Sequence, residues 1–576
     1  MKLTGAQIAV KALENLGIKY TFGIPGTHTT EIYDALTHSK QIEPILVAHE
    51  AGGAFMADAI SRTSDSVGCL MIVPAAGLTH ALSGIGEAYL AGIPMLVISG
   101  GIRRDTGKHY QLHQIDMQPI AKNVTKAQYL IEKSEDIPTI LYEAYNVALS
   151  VEPGPVFVEI PVEIMMFSSD LKEIPAYVPN IIRPSIDKTK ISQAVELLKA
   201  AKNPYLFLGW GAKDAQEYSI KIAEKLQAPV SVTMQGKSVF PNNHSLFAGC
   251  FLGKSAQPSG RETFKKHDAL LAVGCRFSEI STGSYGIEAP KNLIHIDINK
   301  EVFDKNYPTT LAIEGDATEV LKAIWEELKD VEISNDNTQI AGKIQQLKTD
   351  YFNEWLGKKQ NDKVSPGYFF DYLNKHAGDD SIVVLDDGNH TFLACELLTT
   401  VKPGHLISPT DFNCMGYCIP AAIAAKLANP EKRVIAITGD GASQMTGLEL
   451  ITAKTYDVAP IVCVFNDGEL GQIAQFQEIP LKIKANSIIG HLNFEGLALA
   501  TGCEYLHLRN DNQIDGIMQT AFEFANKGKA VLVDVTIDYS KKTAFTKGVV
   551  KTNLSRFPLG EKIRFIARAV KRHTIG

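Results

Sequence analysis

The chain has 576 residues, with 45% apolar and 21% charged side chains and a net charge of -7. Such a length allows roughly three or four domains of ordinary soluble protein. The acidic balance speaks against a nucleic-acid partner. The eight cysteines include no C-x-x-C pair, which suits a reduced, cytoplasmic setting; Cys414 and Cys418 read as core or site-lining thiols.

The opening segment MKLTGAQIAVKALENLGIKY has helically spaced apolar residues broken by polar ones, unlike a signal peptide. No uninterrupted apolar run approaches the ~20 residues of a membrane span. From there, short β-branched runs alternate with helical patterns, which predicts an α/β fold of three consecutive doubly wound parallel-sheet domains. In the first block, residues 1–175, the strand signals are YTFGIPG, PILVAH, GCLMIVPA, PMLVISG and PVFVEIPV. KEIPAYVPNIIRPS is a Pro-rich linker. The second block, 188–345, carries PYLFLGWG, PVSVTM, ALLAVG and NLIHIDI. A polar passage over 333–350 reads as surface helix and linker. The third block, 360–540, carries SIVVLDDG, RVIAITGDG, PIVCVFND and AVLVDVTI, with a strand rhythm like that of the first. The tail, 541–576, is basic. Leu559, Ile563, Ile566 and Val570 fall on one helical face and Arg564, Arg568, Lys571 and Arg572 on the other. That pattern fits a solvated helix docked on the body, a lid over a site, or a peripheral membrane contact.

The densest chemistry lies between Gly439 and Gly471. A strand ends at Gly439-Asp440-Gly441, a helix follows from Ala442, and a second strand delivers Asn466 and the turn at Gly468 to the same sheet edge. Ligands of parallel sheets bind at that edge. Glycine permits close backbone approach, and a helix start offers N–H groups to an anion. An acid there needs a bridging cation, and Asp440, Asn466 and the Gly468 carbonyl make an oxygen set suited to Mg²⁺.

This GDG–helix–strand–Asn arrangement resembles the thiamine-diphosphate-binding signature. The segments AHEAGGAFMADAISR, GLTHALSGIGEAY, VGCRFSEISTGSYG, IHIDINKEVFDKN, DDGNH and CMGYCIPAAIAAKLANP resemble, in order, the acetolactate synthase, pyruvate oxidase and benzaldehyde lyase superfamily. The resemblance covers about residues 1 to 540. It implies pyrimidine-binding, central and diphosphate-binding domains, with thiamine diphosphate and Mg²⁺ as cofactors. It assigns Glu50 to the cofactor's pyrimidine N1′ and Met415 to the wedge that bends the cofactor. The Asn413 carbonyl would meet the 4′-amino group. Asn389 and His390 would meet the diphosphate, with Asn389 standing where Gln is usual, and Gly439, Gly441 and Ala442 would line it. Active sites would lie between subunits of a homodimer or homotetramer. His28, His80, and His113 or Gln114 would line the substrate cavity, where a histidine can shuttle a proton; a structural imidazole is the competing reading for each. YQLHQIDMQ departs from the Phe-Gln-Glu run usual in acetolactate synthases. The implied activity is a carboligase or lyase acting on a small-molecule 2-oxo acid or 2-hydroxy-ketone through an enamine, with pyruvate the default donor. A 2-hydroxyacyl-CoA lyase and a pyruvate-oxidase-like flavoenzyme with bound FAD are the alternatives.

Overall fold

The computed structural model describes residues 2–335, 337 and 339–574; residues 336 and 338, inside the predicted polar passage, lie outside it. Three six-stranded, wholly parallel sheets follow one another along the chain. The first runs Glu43–Leu46, Tyr20–Gly23, Gly68–Ile72, Met95–Gly101, Pro155–Pro161, Gln128–Leu130 in spatial order. The third runs Leu406–Ile407, Ile382–Leu385, Val434–Gly439, Ile461–Asn466, Val531–Thr536, Glu504–Leu508. Numbered within each sheet, both have the order 2-1-3-4-6-5, so the shared strand rhythm corresponds to a shared topology. The central sheet is wound 3-2-1-4-5-6, with Pro204–Leu208 and Ala269–Val273 side by side in the middle. Its strands read as near-continuous apolar runs because helices cover both faces.

The strands that sequence patterning passes over are mostly short or lie at edges. Gln128–Leu130 and Glu504–Leu508 are largely half-buried, and Leu406–Ile407 has two residues. The stretch 171–187 holds no helix or strand. It is strapped to the first domain, with Tyr142 Oη donating to the Pro175 carbonyl at 2.7 Å and Tyr177 Oη to Asn146 Oδ1 at 2.7 Å.

The first and third domains share one core. Helix Glu50–Thr63 crosses Ala76–Ala91 so closely that a Cβ on Gly84 would sit 2.4 Å from the Ala54 Cβ. On its other side it meets Cys418–Ala428 of the third domain, where the Phe55 and Tyr417 rings pack edge to face at 5.5 Å. Seven of the eight cysteines are buried, and all are free.

The last residues divide in two. Helix Ala544–Arg556 belongs to the body: Phe545 stacks on Phe392 at 4.2 Å, and Gly548 lies against the backbone of Lys254 and Ser255. Helix Leu559–Thr574 lies on the surface. It rests on helix Gly471–Leu481, where Arg572 Nη1 donates to the Leu481 carbonyl at 2.9 Å. Leu559, Ile563, Ile566 and Val570 remain exposed. Among the described residues, no helix is long and apolar enough to cross a membrane.

Candidate active site

The order 2-1-3 in the third sheet makes a crevice where the chain leaves neighbouring strands in opposite directions. The strand ends at Leu385 and Gly439 flank it, and a cavity of about 240 Å³ opens there. Asp387, Asn389, His390, Asn413, Met415, Asp440, Gly441, Ala442 and Asp467 are among its lining residues. Two buried polar atoms at its wall, Asn389 Nδ2 and His390 Nε2, have no hydrogen-bond partner among the described residues. Burial lowers the His390 imidazole to about 4, so it is neutral near pH 7. Unpaired buried polar atoms are costly unless a ligand completes them.

Asp440 ties the two strand ends together. Its Oδ1 accepts from the Gly441 N–H at 2.8 Å and its Oδ2 from the Gly468 N–H at 2.7 Å. Gly468 has φ +74°, the left-handed region in which glycine carries no Cβ penalty. The Asn466 amide donates to Asp534 Oδ1 at 3.0 Å, which fixes its orientation and leaves Oδ1 as an acceptor. The Gly468 carbonyl already accepts from the Ile489 N–H at 3.1 Å, leaving one lone pair. Carboxylates crowd this wall. Burial, then neighbouring Asp440, pushes Asp467 up to about 7; burial, then Asp386, does the same to Asp387. An anionic ligand fits such a wall only with a divalent cation between them.

Asp386 shapes the opposite lip. Fully buried, it accepts from the N–H groups of Gly416 at 2.8 Å and Cys418 at 2.9 Å. Those bonds hold the loop that presents Met415 at the cavity and Asn413 at φ +56°.

The acid of the first domain stands apart. Glu50 opens helix Glu50–Thr63 and is 6% exposed. His80 Nδ1 lies 3.0 Å from Glu50 Oε2, and the His49 ring stacks on His80 at 4.8 Å. Glu449 reaches across from the third domain to this helix start. Its Oε1 accepts from the Ala48 N–H at 2.8 Å, and a Cβ on Gly52 would meet Oε2 at 2.4 Å. Removing that buried acceptor by Glu449→Ala strands the Ala48 donor. The expected cost is about 1–3 kcal/mol, readable as a lower denaturation midpoint that Glu449→Gln partly restores.

A second imidazole pair is His28 and His113, edge to face at 5.3 Å. His28 follows the central strand Tyr20–Gly23, is buried, and has an unpartnered Nδ1. Burial first, then His113, lowers its pKa. Gln114 does not join the pair; it is exposed and its Oε1 accepts from the Gln111 N–H within the same turn.

Comparison with known families agrees domain by domain. Residues 3–120 match the thiamine pyrophosphate enzyme N-terminal TPP binding domain, 191–324 its central domain, and 386–535 its C-terminal TPP binding domain. The chain belongs to the thiamine pyrophosphate enzyme family. Similar proteins include the acetolactate synthase large subunit of Haemophilus influenzae, 31% identical over 557 residues that cover 94% of this chain and 95% of that one. The isozyme 3 large subunit of Escherichia coli is 30% identical over 94% of this chain and 96% of its own. The acetolactate synthase large subunit of Corynebacterium glutamicum is 31% identical over 83% of this chain and 77% of its own.

In this thiamine pyrophosphate enzyme the candidate residues fall in two separate groups. The cavity between Asp387 and Tyr539 is lined entirely by third-domain residues. Glu50, His28, His80, His113 and Gln114 are not among them, and neither are Asn466 and Gly468. Sequence reading missed Glu449, His49, Asp467 and Tyr539. Tyr539 lines the cavity, and Asp467 and Asp440 add to the effect of burial in raising its phenol pKa. The N-D-G turn that contains Asp467 was the available signal for one of them.

Proposed function

We propose that the protein is an acetolactate synthase-like carboligase. It joins the carbons left by decarboxylation of pyruvate to the carbonyl of a second 2-oxo acid. The observation that carries this reading is the pairing of two features in one chain. One is a cavity with Asp440 in its wall and unpartnered Asn389 Nδ2 and His390 Nε2; the other is a separate, buried Glu50 bonded to an imidazole. When bound, thiamine diphosphate supplies the nucleophilic carbon and the electron sink. Asn389 Nδ2, His390 Nε2 and the backbone at Gly441 and Ala442 would hold its diphosphate. Asp440, Asn466 and Gly468 would hold Mg²⁺. Glu50 would hold a proton at the pyrimidine N1′, with His80 orienting its carboxyl group. His28 Nδ1, neutral and unpartnered, is available to move the substrate hydroxyl proton, with His113 against its ring.

The separation of Glu50 from the cavity supports a homodimer in which Glu50 of one copy faces the cavity of the other. Met445, Leu448 and Ile451, just beyond Asp440, are 63%, 61% and 47% exposed, an apolar surface that a second copy would cover.

A second ligand has its own support. A cavity of about 320 Å³ lies at the switch point of the central sheet, beside Trp210, Gly211, Gly274, Arg276 and Asp297. A Cβ on Gly209 would sit 2.0 Å from the Gly274 carbonyl, so the two strand ends meet without side chains. Crevices of this topology take dinucleotides, and FAD is the ligand we assign to it.

One experiment addresses both readings. The purified protein is supplied with thiamine diphosphate, Mg²⁺ and pyruvate, with and without FAD, and products are read by mass spectrometry. Acetolactate and CO₂ are expected, with flavin absorbance retained after gel filtration. Aldehyde and formyl-CoA from a 2-hydroxyacyl-CoA, without carboligation of pyruvate, would overturn the first reading. A colourless protein that does not retain added FAD would overturn the second.

A further inference from the structure

We propose that His49, Glu50 and His80 together form a binding site for a zinc-class divalent cation, separate from the Mg²⁺ clamp in the third domain. One ligand atom from each of the three residues lies within 4.8 Å of the other two. A tetrahedral cation with bonds of about 2.0–2.2 Å brings its ligands closer than that, to roughly 3.3–3.5 Å apart, and because the His49 and His80 rings stack with centroids 4.8 Å apart, side-chain rotations that break the stack are needed for their lone pairs to converge. The His80 side chain is half exposed and free to make them, and His49 is exposed as well, which opens a path for the ion.

The ligand set decides the class of metal. Two imidazoles and one carboxylate suit Zn²⁺ and its neighbours, whereas Mg²⁺ takes oxygen. Three protein ligands leave a fourth position for water or another ligand. His80 can bind through Nε2 while Nδ1–H stays on Glu50, or through Nδ1 with Glu50 as a direct ligand. The carboxylate is engaged in both arrangements.

His49 gives up something to bind. Its Nδ1 accepts from the Ala51 N–H at 3.1 Å and caps the helix. Coordination through Nδ1 takes that lone pair, and coordination through Nε2 puts the proton on Nδ1; the cap bond is lost either way. Glu449 still holds the Ala48 N–H at this helix start, so the helix keeps an anchor.

The site does not depend on what Glu50 does in catalysis. Its consequence does rest on the proposed role of Glu50: zinc and thiamine diphosphate should then exclude one another. The test uses the full-length protein freed of cofactor, with Zn²⁺ alone as the probe, by calorimetry or competition with a zinc indicator. One ion per chain is expected. His49→Ser keeps a capping hydroxyl, and His80→Ser changes an exposed position; each should weaken zinc binding at least about tenfold. No uptake by the wild type, or equal uptake by the wild type and both variants, would overturn the site. Repeating the titration with saturating Mg²⁺ and thiamine diphosphate separates the two ideas. Loss of zinc uptake supports the exclusion; uptake that persists there while both variants remain impaired keeps the site and removes the proposed role of Glu50.

Discussion

Glu50→Gln is expected to lower turnover by about 10²–10⁴-fold, the range a positioned acid–base group contributes, while Mg²⁺-dependent binding of thiamine diphosphate is retained. Gln has the same shape, and its Oε1 can still accept from His80 Nδ1, which lies 3.0 Å from Glu50 Oε2. The helix start keeps its bonds to His49 and Glu449. What the amide cannot do is take up and return a proton at the pyrimidine. The cavity proposed to take the diphosphate belongs wholly to the third domain, so affinity for the cofactor should change little. Steady-state rates with pyruvate, set beside cofactor titration by intrinsic fluorescence, separate the two effects. A variant that turns over at the wild-type rate would remove Glu50 from the chemistry. A variant that loses both rate and cofactor would point to a folding role instead.

The contrast between Glu50 and Glu449 shows what a sequence carries and what it leaves out. Buried central strands such as Val434–Gly439 and Ile461–Asn466 announce themselves as apolar runs ending in glycine or Asn-Asp-Gly, because both sheet faces are covered. Asp440 stood out from its local setting, and the prolines of 172–185 marked a stretch that holds no helix or strand. An edge strand such as Glu504–Leu508 did not stand out, since four of its five residues are only partly buried and the pattern is diluted. Glu449 is one acid in an ordinary helical stretch. Its contact with Ala48 spans 401 positions, and nothing in its neighbours encodes that reach. The same holds for Tyr539, a tyrosine after the last strand that returns beneath Asp467 and Asp440. His113 and Gln114 are adjacent in sequence, yet His113 packs on His28 while Gln114 turns to a surface bond. The φ of +64° at His113 creates that divergence, and no periodicity predicts a left-handed residue.

Arg62→Met should lower stability by about 3–5 kcal/mol, because it breaks a buried ionic network from one side. Arg62 is 1% exposed and joins all three domains. Its Nε and Nη2 donate to Asp58 at 2.7 and 3.2 Å, and Nη2 lies 3.7 Å from Glu87. Nη1 reaches the Ser408 carbonyl at 3.4 Å, and the guanidinium lies 5.7 Å from the Trp210 ring centroid and 5.8 Å from that of Tyr417. Met fills much the same volume, so the loss is electrostatic rather than a cavity. Asp58 would keep only the Tyr417 hydroxyl, at 2.6 Å. The pH dependence has a definite sign. Burial, opposed by Arg62, pushes Glu87 from 4.5 up to about 7. Between those values the folded protein binds a proton that the unfolded chain has released, so this group's contribution falls as pH rises through the window. Without the guanidinium, Glu87 holds its proton to still higher pH in the folded state. The variant's deficit should therefore be larger at pH 8 than at pH 5. Denaturant midpoints at the two pH values measure it. Asp58→Leu and Glu87→Gln together with Arg62→Met remove both stranded acids and should recover much of the loss, as replacement of a whole buried ionic group does. Equal midpoints for Arg62→Met and wild type at pH 8 would mean that Arg62 contributes no net stability through this network.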